Sequence, residues 1–374
     1  MSDKDNTVKL IAVGDVGGAP EGFFNLTGPI IKEADIAFAQ LEGKLAGKGT
    51  PQLYPTGRTR SFAPDPQRAK TLLDAGFNIM SLASNHTLDS SEGPLLETID
   101  VLRQNNIAAI GVGKNIEEAR KPAIFECKGT KVGFLAYCSV TPPGYEARED
   151  KSGLAPVRAI TAYQQVDWQP GTPPRIISQA NPDDLAAMVE DIKKLRPKVD
   201  VLVVSMHWGV HFAPAIIAEY QYEAGHAAID VGADIIIGHH AHILKGIEVY
   251  KGKVIFFSLC NFCLPLPLSF MNDPHTDLHH IHEFYRYPVD PEYTNYAFPI
   301  DSQKTILVKC NIADKKIQRV AYLPLWVNKK GEPEPLSRSD TRSDEHLRYM
   351  EWVCKDQLLD TKFSREGDEV VVLT

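Results

Sequence analysis

The sequence predicts a layered α/β fold with mixed sheets, on three observations. Short β-branched or apolar runs alternate with helical patterns through the first half, the rhythm of stacked sheet and helix layers. Two later pairs of apolar runs flank tight polar turns and read as hairpins, which adds antiparallel pairs to the sheet system. Hydrophobic residues at 43% and charged residues at 24% of 374 supply a sizeable core and argue against global disorder.

In chain order, strands are expected at Val8–Val13, Ile36–Leu41, Asn78–Leu82 and Ile107–Ile110, each running into a polar loop. PDPQRAKTLLDAG and EGPLLETIDVLRQ carry helix starts and apolar spacings of three and four. PAIFEC and KVGFLAYC flank a KGT turn as the first hairpin. After the Pro/Gly-rich link DWQPGTPPR come a helix at Pro182–Leu195, a strand at Val199–Val204, a helix at Ile216–Val231 and a strand at Asp234–Ile237. The second hairpin, GIEVY-KGK-VIFFSL, leads into a Pro-, His- and aromatic-rich stretch over about 262–300, read as a functional insertion or lid. Strands at Lys304–Cys310 and Arg319–Leu323 return to the sheet. A single domain over 1–336 is expected, with 337–374 a peripheral charged segment.

Charge and cysteine content exclude several classes. With 40 basic against 48 acidic side chains and no basic block, neither a nucleic acid nor a membrane is indicated as partner. The amino terminus lacks an apolar leader and no run reaches the roughly 18 apolar residues of a span, so a cytoplasmic location is expected. The six scattered cysteines read as reduced thiols; Cys260 and Cys263 form a CxxC, but no second pair completes a zinc ribbon.

The residues that carry chemistry stand where apolar strands stop: Asp15, Glu42, Ser84 to His86, His207, and Gly238 to His242 in GHHAH. Strand ends are where an α/β fold assembles sites, because the loops converge while the sheet stays rigid. Taken singly these signals are ordinary, since an Asp after a strand commonly caps a turn and a histidine after VLVVSM commonly sits in a core. Together they offer carboxylate, amide and imidazole donors of the kind a pair of divalent cations requires.

In order and context, AVGDV, ADIAFAQLEG, SLASNHTLD, VLVVSMHWG and GADIIIGHHAHILKGIEVYKGKVIFFSLCNF resemble the CapA-type proteins, named for poly-gamma-glutamate capsule biosynthesis, of the calcineurin-like metallophosphoesterase superfamily. The resemblance covers roughly Val8 to Phe262 and implies a four-layer α/β/β/α sandwich with two mixed sheets. It implies that Asp15, Glu42 and His242 hold one metal and that Glu42, Asn85, His207 and His240 hold the second, with Glu42 bridging. His86 would then protonate a leaving group, with Asp89 orienting its ring. Mixed N/O ligation admits Mn, Zn or Fe.

The departures from the family pattern bear on the substrate. Val16 and Gly17 follow Asp15 where many superfamily members have DxH, His211 and Phe212 replace a Glu-aromatic pair, and Cys260 replaces the glycine of SLGNF. His211 is therefore a further catalytic candidate, and His239 and Cys260 are expected near the substrate, His239 as support for the ligands. Arg58 and Arg60 suit an anionic substrate group, and His275, His279, His280 and His282 enrich the insertion. The apolar tract Phe262–Phe270 fits either a homodimer contact or a pocket wall.

The leading expectation is a metal-dependent hydrolase that acts on an amide, glutamyl or phosphoester bond in a small molecule or peptide. Two alternatives stand beside it. One is a metal-dependent epimerase in which His86 and His211 flank the substrate carbon; the other is a non-catalytic capsule-assembly protein.

Overall fold

The computed structural model of the chain describes residues 6–17, 19–47, 65–272, 279, 282, 283 and 285–374. Two large mixed sheets lie face to face between helical layers, the four-layer arrangement expected. In the first, the parallel run Val8–Val16, Ile36–Leu41, Ile79–Ser81 and Ala108–Ile110 is extended on the other side of Val8–Val16 by antiparallel Lys304–Ala313, Lys316–Val327 and Glu369–Leu373. In the second, Thr130–Cys138, Val201–His207, Ile235–His239 and Lys253–Phe256 run parallel. The two predicted hairpins close its edges with Ala123–Cys127 and Ile247–Tyr250.

Strand alternation divides the interior into two cores. Val132, Phe134, Val201, Val203, Ile235 and Ile237 point into the core between the sheets. Their neighbours Leu135, Leu202, Val204 and Ile236 point the other way and pack under helices Pro182–Leu195 and Glu219–Asp230, which contribute Met188, Ile192, Tyr220 and Ala224. Strands apolar on both faces are what a helix-covered parallel sheet requires.

The strands run farther toward the site than expected. The first continues through Gly14 and Asp15 to Val16 because it gains a third neighbour, the short parallel strand Asn261–Cys263, which meets it at Asp15. The backbones approach so closely there that a Cβ on Gly14 would lie 1.9 Å from the Cys260 carbonyl oxygen, so only glycine fits. The strand expected at Val199–Val204 runs over Val201–His207, and that expected at Asp234–Ile237 over Ile235–His239.

Three readings need correction. The helix expected from Ile216 begins at Glu219, because Ala215 takes φ 61° and the Ile216 N–H turns back to Pro214. The Pro/Gly-rich link is the tip of a ribbon, Ala159–Gln164 with Arg175–Ala180, whose largely exposed strands carry no alternating apolar signal. The tail is not peripheral: helix Thr341–Asp356 buries His346, Met350, Val353 and Cys354, and Glu369–Leu373 joins the first sheet. Only one face of that helix is apolar, and its charged residues fill the other, so its sequence resembles that of a solvated helix.

Methionine 350 tests this packing. Met350→Ala is expected to lower unfolding stability by about 2–5 kcal/mol, whereas exposed Arg348→Ala stays within about 0.5 kcal/mol, both measured by denaturant titration.

Candidate metal centre

The ends of the two sheets bring six of the predicted residues into one buried cluster. Asp15 is the penultimate residue of the first strand, and the Glu42 N–H bonds back to the Val16 carbonyl at 2.8 Å, which ties the second strand's end to the first. Across the cleft, His207 ends its strand, and the chain leaves Ile235–His239 through two left-handed residues, His240 at φ 89° and His242 at φ 54°. That conformation costs about 1–2 kcal/mol per non-glycine residue. It turns the His242 ring toward the carboxylates and the His240 ring toward His207, and the His240 N–H donates to Asp15 Oδ2 at 3.2 Å.

Glu42 Oε1 occupies the middle. It lies 3.5 Å from His86 Nε2, 3.9 Å from His207 Nε2 and 3.7 Å from His242 Nε2. Asn85 Oδ1 lies 2.8 Å from His207 Nε2, which lies 3.2 Å from His240 Nδ1. Neighbouring ligands around one cation with bonds of about 2.0–2.1 Å are separated by roughly 2.9–3.4 Å, and the 3.2 Å between His207 Nε2 and His240 Nδ1 falls in that range. Asp15, Glu42 and His242 form a second set, with one ligand atom from each lying within 4.8 Å of the others. Burial holds the His207 imidazole well below its ordinary pKa, aided by repulsion from the neighbouring histidines, and the neutral ring is the form that ligates. The Asp15, Glu42 and His242 donors therefore fit a divalent cation, with neutral imidazole and amide donors of His207, His240 and Asn85 beside them.

At one edge, His86 Nδ1 lies 2.6 Å from Asp89 Oδ2, and Asp89 Oδ1 accepts from the Tyr145 hydroxyl at 3.0 Å. Lys44 lies beside this chain with its ammonium 2.5 Å from Ser90 Oγ, and burial lowers its pKa against the opposing pull of Asp89. On the other side, the His211 ring centre is 3.9 Å from that of His240 and 5.2 Å from that of His242, and Phe212 and Phe298 flank His242.

His239 and Cys260, expected near the substrate, have no surface to meet one: both are fully buried, and they act beneath the cluster. His239 Nδ1 lies 3.2 Å from Asp15 Oδ1 with its ring against Phe38. Cys260 takes φ 67°, which explains why a glycine is the expected residue there, and its thiol donates to the His242 carbonyl at 3.2 Å. Arg58, Arg60, His275 and His280 lie outside the described residues. His279 is turned to the Met271 carbonyl and Glu283, and His282 to Tyr287. Phe262 and Leu266 are buried within the chain, Leu266 in an aromatic cluster with Phe212, Tyr296 and Phe298.

The sequence reading missed Asn261. Its Oδ1 lies 2.6 Å from His242 Nδ1, which leaves Nε2 facing Glu42, and its amide donates to Tyr296. The signal was present in SLCNF, an asparagine at the head of a strand pairing with Asp15. Tyr145, Lys44 and Tyr296 had no local motif to mark them.

A family described as bacterial capsule synthesis protein PGA_cap matches residues 11–265. The PGA biosynthesis protein CapA of Bacillus subtilis is 29% identical over 197 residues, 52% of this chain and 45% of that protein. The capsule biosynthesis protein CapA of Bacillus anthracis is 25% identical over 240 residues, 64% and 53%. A probable polyglutamine synthesis accessory protein of Mycobacterium tuberculosis is 31% identical over 227 residues, 60% and 54%. The chain thus spans about half the length of the curated relatives it matches. Among solved structures, the calcineurin-like phosphoesterase YfkN of Bacillus subtilis aligns with 93% of this chain and 98% of its own at 13% identity and a TM-score of 0.41. A hypothetical protein from Thermus thermophilus aligns with 85% and 98% at 13% identity and a TM-score of 0.45. No helix among the described residues is long and apolar enough to cross a membrane.

Asn261→Leu, which removes the partner of His242 Nδ1, is expected to weaken metal affinity about 10- to 100-fold in a chelator-competition titration. Unchanged affinity would remove Asn261 from the centre.

Proposed function

The chain belongs to the PGA_cap family of bacterial capsule synthesis proteins, and from that premise and the cluster above we propose that it is a metal-dependent hydrolase. The bond cleaved is an amide or a phosphoester in a small molecule or peptide. One observation carries this reading: a single carboxylate oxygen, Glu42 Oε1, faces imidazole nitrogens from three separate chain segments, and Asp15, Glu42 and His242 each bring a ligand atom within 4.8 Å of the others. Such an arrangement is electrostatically poor without cations and well suited to bridging two of them.

Asp15, Glu42 and His242 would hold one divalent cation, and Glu42, Asn85, His207 and His240 the other, with Zn, Mn and Fe all compatible with these donors. Bound there, the pair supplies Lewis acidity and lowers the pKa of water toward neutrality.

The chain's own groups do the rest. Asp89, itself held by the Tyr145 hydroxyl, fixes the His86 ring by its Nδ1, so that Nε2 faces the centre and can deliver a proton to the leaving group. His211 lies over the opposite rim, where an imidazole can stabilise charge on the substrate. His239 and Asn261 orient Asp15 and His242 from beneath, and Cys260 holds the backbone that carries His242. The His86–Asp89–Tyr145 chain favours catalysis over a purely assembling role, since a binding protein has no use for an oriented proton donor. Between the two bonds, the names of the relatives, which refer to PGA and polyglutamine synthesis, favour a glutamyl amide.

The test is elemental analysis with paired assays on a glutamyl amide and a generic phosphodiester, with Mn added. The wild type should hold close to two metals per chain, a figure that rests on the two-site reading, and Glu42→Ala and His242→Ala should lose them. His86→Gln should keep the metals while turnover falls about 10²- to 10⁴-fold. A wild type that binds no metal after reconstitution would sink the proposal.

A further inference from the structure

The segment following His207 carries His211 and Phe212 over the centre, yet it has little regular structure to hold it. Phe212 and Ala215 both take left-handed φ, 55° and 61°, and no helix or strand includes residues 208–218. The Phe212 N–H bonds to the Ala241 carbonyl at 3.1 Å, and the carbonyls of Ala213 and Ile216 face Lys245. Lys245, only 2% exposed, donates its ammonium to both, at 2.7 Å from the Ile216 oxygen and also to the Ala213 oxygen.

A buried ammonium calls for an explanation. Among the described residues Lys245 has no carboxylate partner, and burial pushes its pKa down to about 7. An apolar side chain would fill the same space without desolvating a charge, but would leave the Ala213 and Ile216 carbonyls, on a part-exposed segment, without this shared donor. We infer that Lys245 is a positioning residue, whose ammonium pins the 211–217 segment and so sets where His211 and Phe212 stand against His240 and His242. The catalytic part of this inference rests on the hydrolase reading; the structural part stands without it.

The test pairs an activity readout with one that needs no activity. Histidine ring signals are followed by NMR in the purified protein with zinc added as a diamagnetic probe, and the His211 signal is identified by its loss in His211→Ala. Lys245→Met should unfold cooperatively and keep its metal, but shift or broaden the His211 signal while the other imidazole signals stay. Its turnover should fall on the order of 10- to 100-fold, and the Lys245→Met/His211→Ala double variant should be no slower than the slower single variant, because both remove one arrangement. A His211 signal unchanged in Lys245→Met, or rate losses that multiply in the double variant, would overturn the inference. Lys245→Leu, which likewise removes the donor, takes the place of Lys245→Met if that variant does not fold, and Lys245→Gln, which keeps an N–H donor without the charge, should lie between it and the wild type in both readouts. An inactive wild type would count against the proposed reaction and leave the NMR result to decide the lysine.

Discussion

Two carboxylates, Asp15 and Glu42, are buried side by side among imidazoles, and this constraint shapes the surrounding structure. A desolvated carboxylate is stable only where opposite charge or N–H donors meet it, and two together repel. Fixed donors must therefore be held within a few ångströms, on backbone that cannot relax away. The strand ends provide that stiffness. The left-handed residues His240, His242 and Cys260 are the strain accepted to aim side chains inward from both sheets.

Much of this was legible in the sequence, for reasons tied to particular residues. The parallel strands showed because they are apolar on both faces, and the candidate ligands showed because they interrupt those runs abruptly, as Asp15 does after AVG and His207 after VLVVSM. What did not show acts through tertiary geometry. Asn261 matters because its strand pairs beside Asp15, and Tyr145 because it reaches Asp89 from 56 residues away. Lys245 matters because it crosses to another segment's carbonyls. The tail was misread because a helix with one apolar face and many charges looks like a solvated one when the core it covers is unknown.

Cys260 shows how a departure from a family pattern acquires physical meaning. Glycine is expected at that position because the backbone there is left-handed, and the cysteine keeps the turn while adding a thiol that donates to the His242 carbonyl. Its burial raises the thiol pKa well above the ordinary value, so it serves as a neutral donor and not as a nucleophile.

The first strand, which carries Asp15, is flanked on one side by Ile36–Leu41 and on the other by Lys304–Ala313, with Val8 opposite Ile312. One neighbour is therefore synthesised almost at once and the other only after most of the chain has emerged. Closing so long a span is slow, and the strand that anchors the centre stays an open edge until it happens. The carboxylates thus reach their final depth late in folding. A metal that met the chain before then would find the Asp15, Glu42 and His242 donors not yet gathered, so the proposed centre can assemble only after this late pairing.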